Sequence, residues 1–169
     1  TGRQGRVRAL GLCIIAIALL LAYSSTIVAD SSVQMAALAG GFEVAIVTTG
    51  EWQGEATVVY NAAQDEYLVV WQDRRSGGQW DIYGQRVSGA GALIGANIPI
   101  CVAADEQMWP RVAYNSTDNE YLVVWQERKV GRWGVYGQRV SATGALLGAR
   151  FALSTSAVRQ TQVDVAYNV

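Results

Sequence analysis

Histidine is absent from all 169 residues, so neither a Ser-His-acid nor a Cys-His nucleophile can be assembled, and zinc has no imidazole ligand. Carboxylates are the remaining catalytic chemistry. A glycosidase needs two of them at a catalytic separation, and Asp73 and Asp81 flank one short loop. A near-copy of the same stretch carries Glu127 and Gly134 instead, so the pair does not recur. A unique pair suits an active site. Charges that do recur, Glu66 with Glu120, Arg74 with Arg128 and Arg86 with Arg139, are expected as hairpin ion pairs or hydrogen-bonded turns. Asp73 and Asp81, with Ser76 between them, are also the metal candidates, short of the about six to eight oxygens that calcium takes. No residue is assigned a catalytic role and no cofactor is implied. The ligand-binding candidates are aromatic and basic: Trp80 and Trp133 stand beside loops carrying Arg74, Arg75, Arg128 and Lys129. Indole faces with cations beside them suit an anionic or polyhydroxylated partner, a carbohydrate or an extracellular protein. A tryptophan at a strand start equally shields a sheet edge.

Those residues are placed by a tandem repeat. EYLVVWQD at 66 to 73 returns as EYLVVWQE at 120 to 127, DIYGQRVS at 81 to 88 as GVYGQRVS at 134 to 141, and GALIGA at 91 to 96 as GALLGA at 144 to 149. VVYN at 58 to 61 returns as VAYN at 112 to 115 and again at 165 to 168. Tyr60, Tyr114 and Tyr167 are therefore spaced by 54 and 53 positions, in the range of propellers, solenoids and arrays. Each copy divides into four β-type runs between turn residues. Gly91 and Gly144 suit a left-handed position in the hairpin after YGQRVS. The one-residue length difference falls in the charged loop after EYLVVWQ, where insertions are tolerated.

In EYLVVWQ, Tyr67, Val69 and Trp71 point one way, and Leu68, Val70 and Gln72 the other. A strand apolar on both faces belongs to a sheet packed between two neighbours, as in a propeller blade, whereas a linear β-solenoid has shorter rungs. The expected fold is all-β: tandem four-stranded antiparallel blades of an incomplete β-propeller, preceded by a helical signal segment. Trp71 and Trp125 are expected in the core. The division is 50–109 for the first blade, 110–162 for the second and 163–169 for the start of a third, with further repeats expected downstream. Residues 42–49 are a lone leading strand, suited to closing a ring, after a linker at 30–41.

The pattern YN, EYLVVWQ[DE]R, [DG][IV]YGQRVS and GAL[IL]GA resembles the repeats of secreted bacterial β-propeller proteins of the broad TolB-like and sialidase-like kind, from about Val58 onward. The resemblance implies a propeller used outside the cell as a binding or scaffold module. Its alternative is part of an extracellular carbohydrate-active enzyme with catalytic residues in other blades. The Ser-x-Asp-x-Gly turn of the sialidase Asp box is missing from both copies.

Arg3, Arg6 and Arg8 precede the apolar stretch Ala9 to Tyr23, and a polar segment follows to Ala29. This is the anatomy of an export signal, with cleavage expected after Ala29 or alternatively Ala39. An uncleaved segment would be the only membrane contact; the apolar stretch is shorter than the about 20 residues of a span. Without residues 1–29, ten basic residues face 14 acidic ones, and the basic ones form no stripe, which argues against a nucleic-acid partner. Beyond that segment Cys101 is the one cysteine, matched by Ser154 in the next copy, and reads as a packed apolar residue. Asn115-Ser116-Thr117 is a glycosylation sequon, meaningful only in a eukaryotic secretory route.

Overall fold

A computed structural model describes residues 34–37, 42–46, 52–155 and 163–168. The export segment and its cleavage sites lie outside them. Among the described residues ten strands form: β1 (Gln34–Ala37), β2 (Phe42–Ala45), β3 (Gln53–Asn61), β4 (Glu66–Asp73), β5 (Asp81–Ser88), β6 (Leu93–Cys101), β7 (Glu106–Asn115), β8 (Glu120–Lys129), β9 (Arg132–Ser141) and β10 (Leu146–Ser154). The described residues contain no helix. Strands β3 to β6 make one antiparallel sheet in sequence order, and β7 to β10 make a second.

The registers repeat with the letters. Glu66 opposes Ser88 and Asp73 opposes Asp81 across β4 and β5; Glu120 opposes Ser141 and Glu127 opposes Gly134 across β8 and β9. Gly91 and Gly144 adopt φ of 85° and 91°, the left-handed geometry their turns require. The glycine in YGQR answers to a different need. A Cβ on Gly84 would lie 2.9 Å from Ile100 Cδ1, and one on Gly137 3.1 Å from Phe151 Cζ, so a side chain of the fourth strand crosses each.

Two expectations are corrected. The sheets divide at 102–105 rather than at 110, because β7 uses Glu106 to Met108 to pair with Gln126 to Arg128 of β8. The leading strand is not alone either: Phe42–Ala45 pairs with Gln34–Ala37, inside the stretch read as linker, which satisfies backbone groups an isolated strand leaves open.

Packing follows the two-faced reading of EYLVVWQ. Leu68, Val70, Ile82 and Ile100 of the first sheet meet Tyr121, Val123, Trp125 and Val140 of the second in one core. The opposite face of the first sheet, Val69, Trp71, Tyr83 and Val87, is packed by Ile46. Trp71 and Trp125 are fully buried. Stacking is thus head to tail, the Leu-Val face of one copy on the Tyr-Val-Trp face of the next. The backbones approach most closely at the first strands, β3 against β7.

Candidate ligand-binding rim

Of the six tryptophans, Trp71 and Trp125 fill cores, and the other four share one end of the sheets. They are far apart along the chain; backbone hydrogen bonds, a guanidinium–indole stack and a ring contact join them. Trp52 C=O accepts from Arg74 N–H (3.0 Å), the Arg74 guanidinium stacks over Trp80 (4.5 Å to the ring centre), and Trp80 C=O accepts from Gln107 N–H of the second sheet (2.7 Å). Two residues on, the Trp109 ring lies 5.6 Å from that of Trp133. Trp52 is 52% exposed, and Trp80, Trp109 and Trp133 are half-buried.

A β-bulge in each first strand shapes this rim. Register slips between Gly54 and Thr57 in β3 and between Met108 and Arg111 in β7, and the residues inside, Glu55 and Trp109, have φ of 49° and 56°. A left-handed backbone at a bulky residue is rare, and bulges commonly re-aim side chains beside functional surfaces. Trp109 N–H is held by Gln72 Oε1 of the preceding sheet at 2.9 Å. The same two positions carry Trp52 and Glu55 in the first copy, and Glu106 and Trp109 in the second. The two copies thus share the bulged backbone and exchange the side chains on it.

The sequence candidates divide between surface and scaffold. Arg74 and Trp80 stack together at the rim, and Trp133 joins it through Trp109. Arg128 reaches Glu106 at 3.4 Å with half its side chain in solvent, and Lys129 is exposed. Arg75 turns inward: its Nε donates to Asp73 Oδ2 (2.8 Å), its Nη1 to Asn97 Oδ1 (2.8 Å), and its guanidinium lies 4.3 Å over Tyr83. Trp52, Glu55, Glu106 and Trp109 were not among the sequence candidates. Their one signal was tryptophan and glutamate exchanging places at the repeat spacing.

Asp73 and Asp81 oppose each other but both are buried. Asp73 accepts from Arg75 and from Trp71 Nε1 (3.1 Å); Asp81 accepts from Ala103 N–H (3.1 Å) and Ser76 Oγ. Burial pushes the Asp81 carboxyl above its usual range; the Ala103 N–H opposes this and the charge of Asp73 adds to it. These oxygens face loop donors, so the pair ties down the loop from 74 to 80. In the second copy a Cβ at Gly134 would lie 2.9 Å from Ser154 O and from the Tyr136 ring, which leaves no room for a second carboxylate. Among the described residues no three His, Cys, Asp or Glu side chains gather to hold a metal. Burial pushes the Cys101 thiol up to about 11, the behaviour of a packed, unreactive sulfur.

The architecture and rim define an all-β protein of tandem four-stranded antiparallel sheets. Neither a protein-family model nor a curated protein matches the chain. Among solved structures it is similar to a mutant of an α-L-arabinofuranosidase from Fusarium graminearum in complex with an iminosugar inhibitor, with a TM-score of 0.47 and 15% identity. The similarity covers 60% of this chain and 31% of that one, so the chain spans about a third of that enzyme's length.

Proposed function

We propose that this chain is an exported binding module whose two sheets are consecutive blades of a β-propeller, and that it takes a carbohydrate across the tryptophan rim. The observation that carries the reading is the division of the six tryptophans: two fill cores and four line one end with Arg74, Arg128, Glu55 and Glu106 beside them. Indole faces stack on the C–H faces of a sugar ring, and flanking carboxylates and guanidinium groups hydrogen-bond its hydroxyls. Hydrolysis is not part of this reading, because Asp73 and Asp81 lie beneath the surface with their oxygens engaged.

A glycan array probed with the full-length protein and with a Trp52→Ala, Trp80→Ala, Trp133→Ala triple variant tests it. Binding that disappears in the variant supports the rim; unchanged binding, or turnover of a glycoside by residues 30 to 169, overturns it. N-terminal sequencing of secreted material tests export, and a mature chain starting at Thr1 instead of near Asp30 or Gly40 argues for a retained anchor.

A further inference from the structure

The hairpin that joins β8 to β9 departs from its counterpart in the first copy. There the connection, residues 74 to 80, folds back on the sheet through Arg75 and Asp73 and leaves Ser76, Gly77 and Gly78 in solvent. In the second copy pairing runs on to Lys129 and Arg132, and Val130 and Gly131 alone make the turn. Both turn residues are left-handed, with φ of 47° and 76°. Gly131 takes that geometry freely. A β-branched residue does not, and asparagine is what the first position of such a two-residue turn favours. Val130 is also 91% exposed. One exposed valine is ordinary; a left-handed one is not. Behind it Lys129 and Arg132 stand directly opposite each other, like charges that repel across the ribbon. Both are exposed, and neither forms an ion pair among the described residues.

The two faces of the ribbon are used differently. Arg128 and Trp133 share the face held by β7, through Glu106 at 3.4 Å and the Trp109 ring at 5.6 Å. Lys129 and Arg132 alternate to the other face. A strained aliphatic tip backed by two unneutralised cations is locally unfavourable in each respect, and such departures mark functional positions. The cations set the sign of a partner, which is anionic. Val130 sets its kind. A hydrated acidic polymer would engage Lys129 and Arg132 and leave the isopropyl group in water, whereas a bilayer surface takes cations at its phosphates and an aliphatic tip at the acyl boundary. We propose that the β8–β9 hairpin docks on an anionic lipid surface, with Val130 entering the acyl boundary and Lys129 and Arg132 on the lipid phosphates. The attraction is local to the hairpin, because beyond residue 29 ten basic residues face 14 acidic ones. This contact is separate from the apolar stretch at 9–23 and does not rest on the carbohydrate reading of the rim.

The test is co-sedimentation of protein purified from the secreted fraction with vesicles of phosphatidylglycerol and phosphatidylcholine in equal parts. Binding to vesicles of phosphatidylcholine alone, which the apolar stretch at 9–23 would also give, is subtracted. The parent is expected to bind the anionic vesicles and to lose that binding as salt rises from about 0.02 to about 0.5 M. A Lys129→Gln, Arg132→Gln double variant is expected to bind at least about tenfold more weakly. Val130→Asn is expected to move two readouts in opposite directions. Its Tm rises, because asparagine fits the left-handed turn, and its vesicle affinity falls at least about threefold, because the aliphatic tip is gone. Absence of any preference for the anionic vesicles overturns the proposal. So does a Val130→Asn variant that binds as the parent does while the double variant fails, since cations alone then suffice and a hydrated acidic polymer becomes the partner. A lowered Tm in Val130→Asn also overturns it, by making Val130 a residue of the fold. Glycan binding enters none of these readouts, so failure here and failure of the rim are separable.

Discussion

Asp81 is buried opposite a second carboxylate, and its folded-state acidity is weakened by that burial. The folded chain therefore holds the Asp81 proton more tightly than the unfolded chain, whose aspartates titrate near about 3.9. This contribution to stability is full below the unfolded pKa and is lost as pH rises through the folded one. Asp81→Asn is expected to remove that pH dependence and raise the Tm at neutral pH, since an amide oxygen can accept from Ala103 N–H and its NH₂ can donate to Ser76 Oγ. Thermal melts from pH 4 to about 8 check it, and a lower Tm throughout would mean that the loop needs the negative charge. The second copy handles its buried acid differently. Arg75 is replaced by Lys129 and Asn97 by Arg150, so the guanidinium that pairs with Glu127 comes from β10 and not from the loop. Arg150→Ala leaves Glu127 buried without its cation and should cost about 3 kcal/mol by urea denaturation, the low end for breaking a buried pair, because a third of Arg150 is already in solvent. Arg75→Ala in the same assay reports on the first copy alone.

Strands, hairpins and core residues were legible wherever period-two alternation and matched letters coincided. EYLVVWQ forms β4 and β8, its faces pack as alternation requires, and the Glu66–Arg86 and Glu120–Arg139 pairs form at 2.7 and 2.6 Å. The first halves of β3 and β7 were hidden for a physical reason. Residues 53–57 contain Gly54, residues 106–111 contain Pro110, and a bulge in each breaks the alternation that marks a strand. Trp52 immediately precedes the first of those stretches and Trp109 lies in the second, so half of the rim went unread while Trp80 and Trp133, next to recognisable strands, were found. The arginines show a related limit. Arg74 and Arg75 are adjacent letters, yet one faces the rim and the other the core, and only the loop's path decides which. At the same scale, Gln72 fixes the second bulge. Gln72→Leu deprives the Trp109 N–H of its acceptor and should cost about 1 to 3 kcal/mol while shifting the environment of the Trp109 and Trp133 rings. Near-ultraviolet circular dichroism reads the second effect, and an unchanged spectrum would detach the bulge geometry from Gln72.

Stacked repeats unfold as one unit only if the interface between them outweighs the difference in their own stabilities. Here the apolar contact of the two sheets is supplemented by polar latches: Asn61 to Tyr121 and Asn119, Gln72 to Trp109, and Arg86 Nη1 to Thr143 C=O at 3.1 Å. Asn61 is fully buried and also closes its own turn, accepting from Ala63 N–H at 3.0 Å and Gln64 N–H at 3.3 Å. Its loss therefore mixes two effects. Tyr121→Phe separates them, because it removes the acceptor across the interface and leaves the Asn61 turn intact. Scanning calorimetry is expected to show one transition for the parent chain. Tyr121→Phe should give a broader transition whose van't Hoff enthalpy falls below its calorimetric enthalpy, the sign that the sheets have begun to melt separately. Asn61→Ala should show the same broadening together with a lower first melting point, from the weakened turn of the first sheet. If Tyr121→Phe lowers the melting temperature but leaves the two enthalpies equal, the apolar stack alone couples the sheets, and the tyrosine and asparagine that recur in each copy serve the hairpins rather than the joint between them.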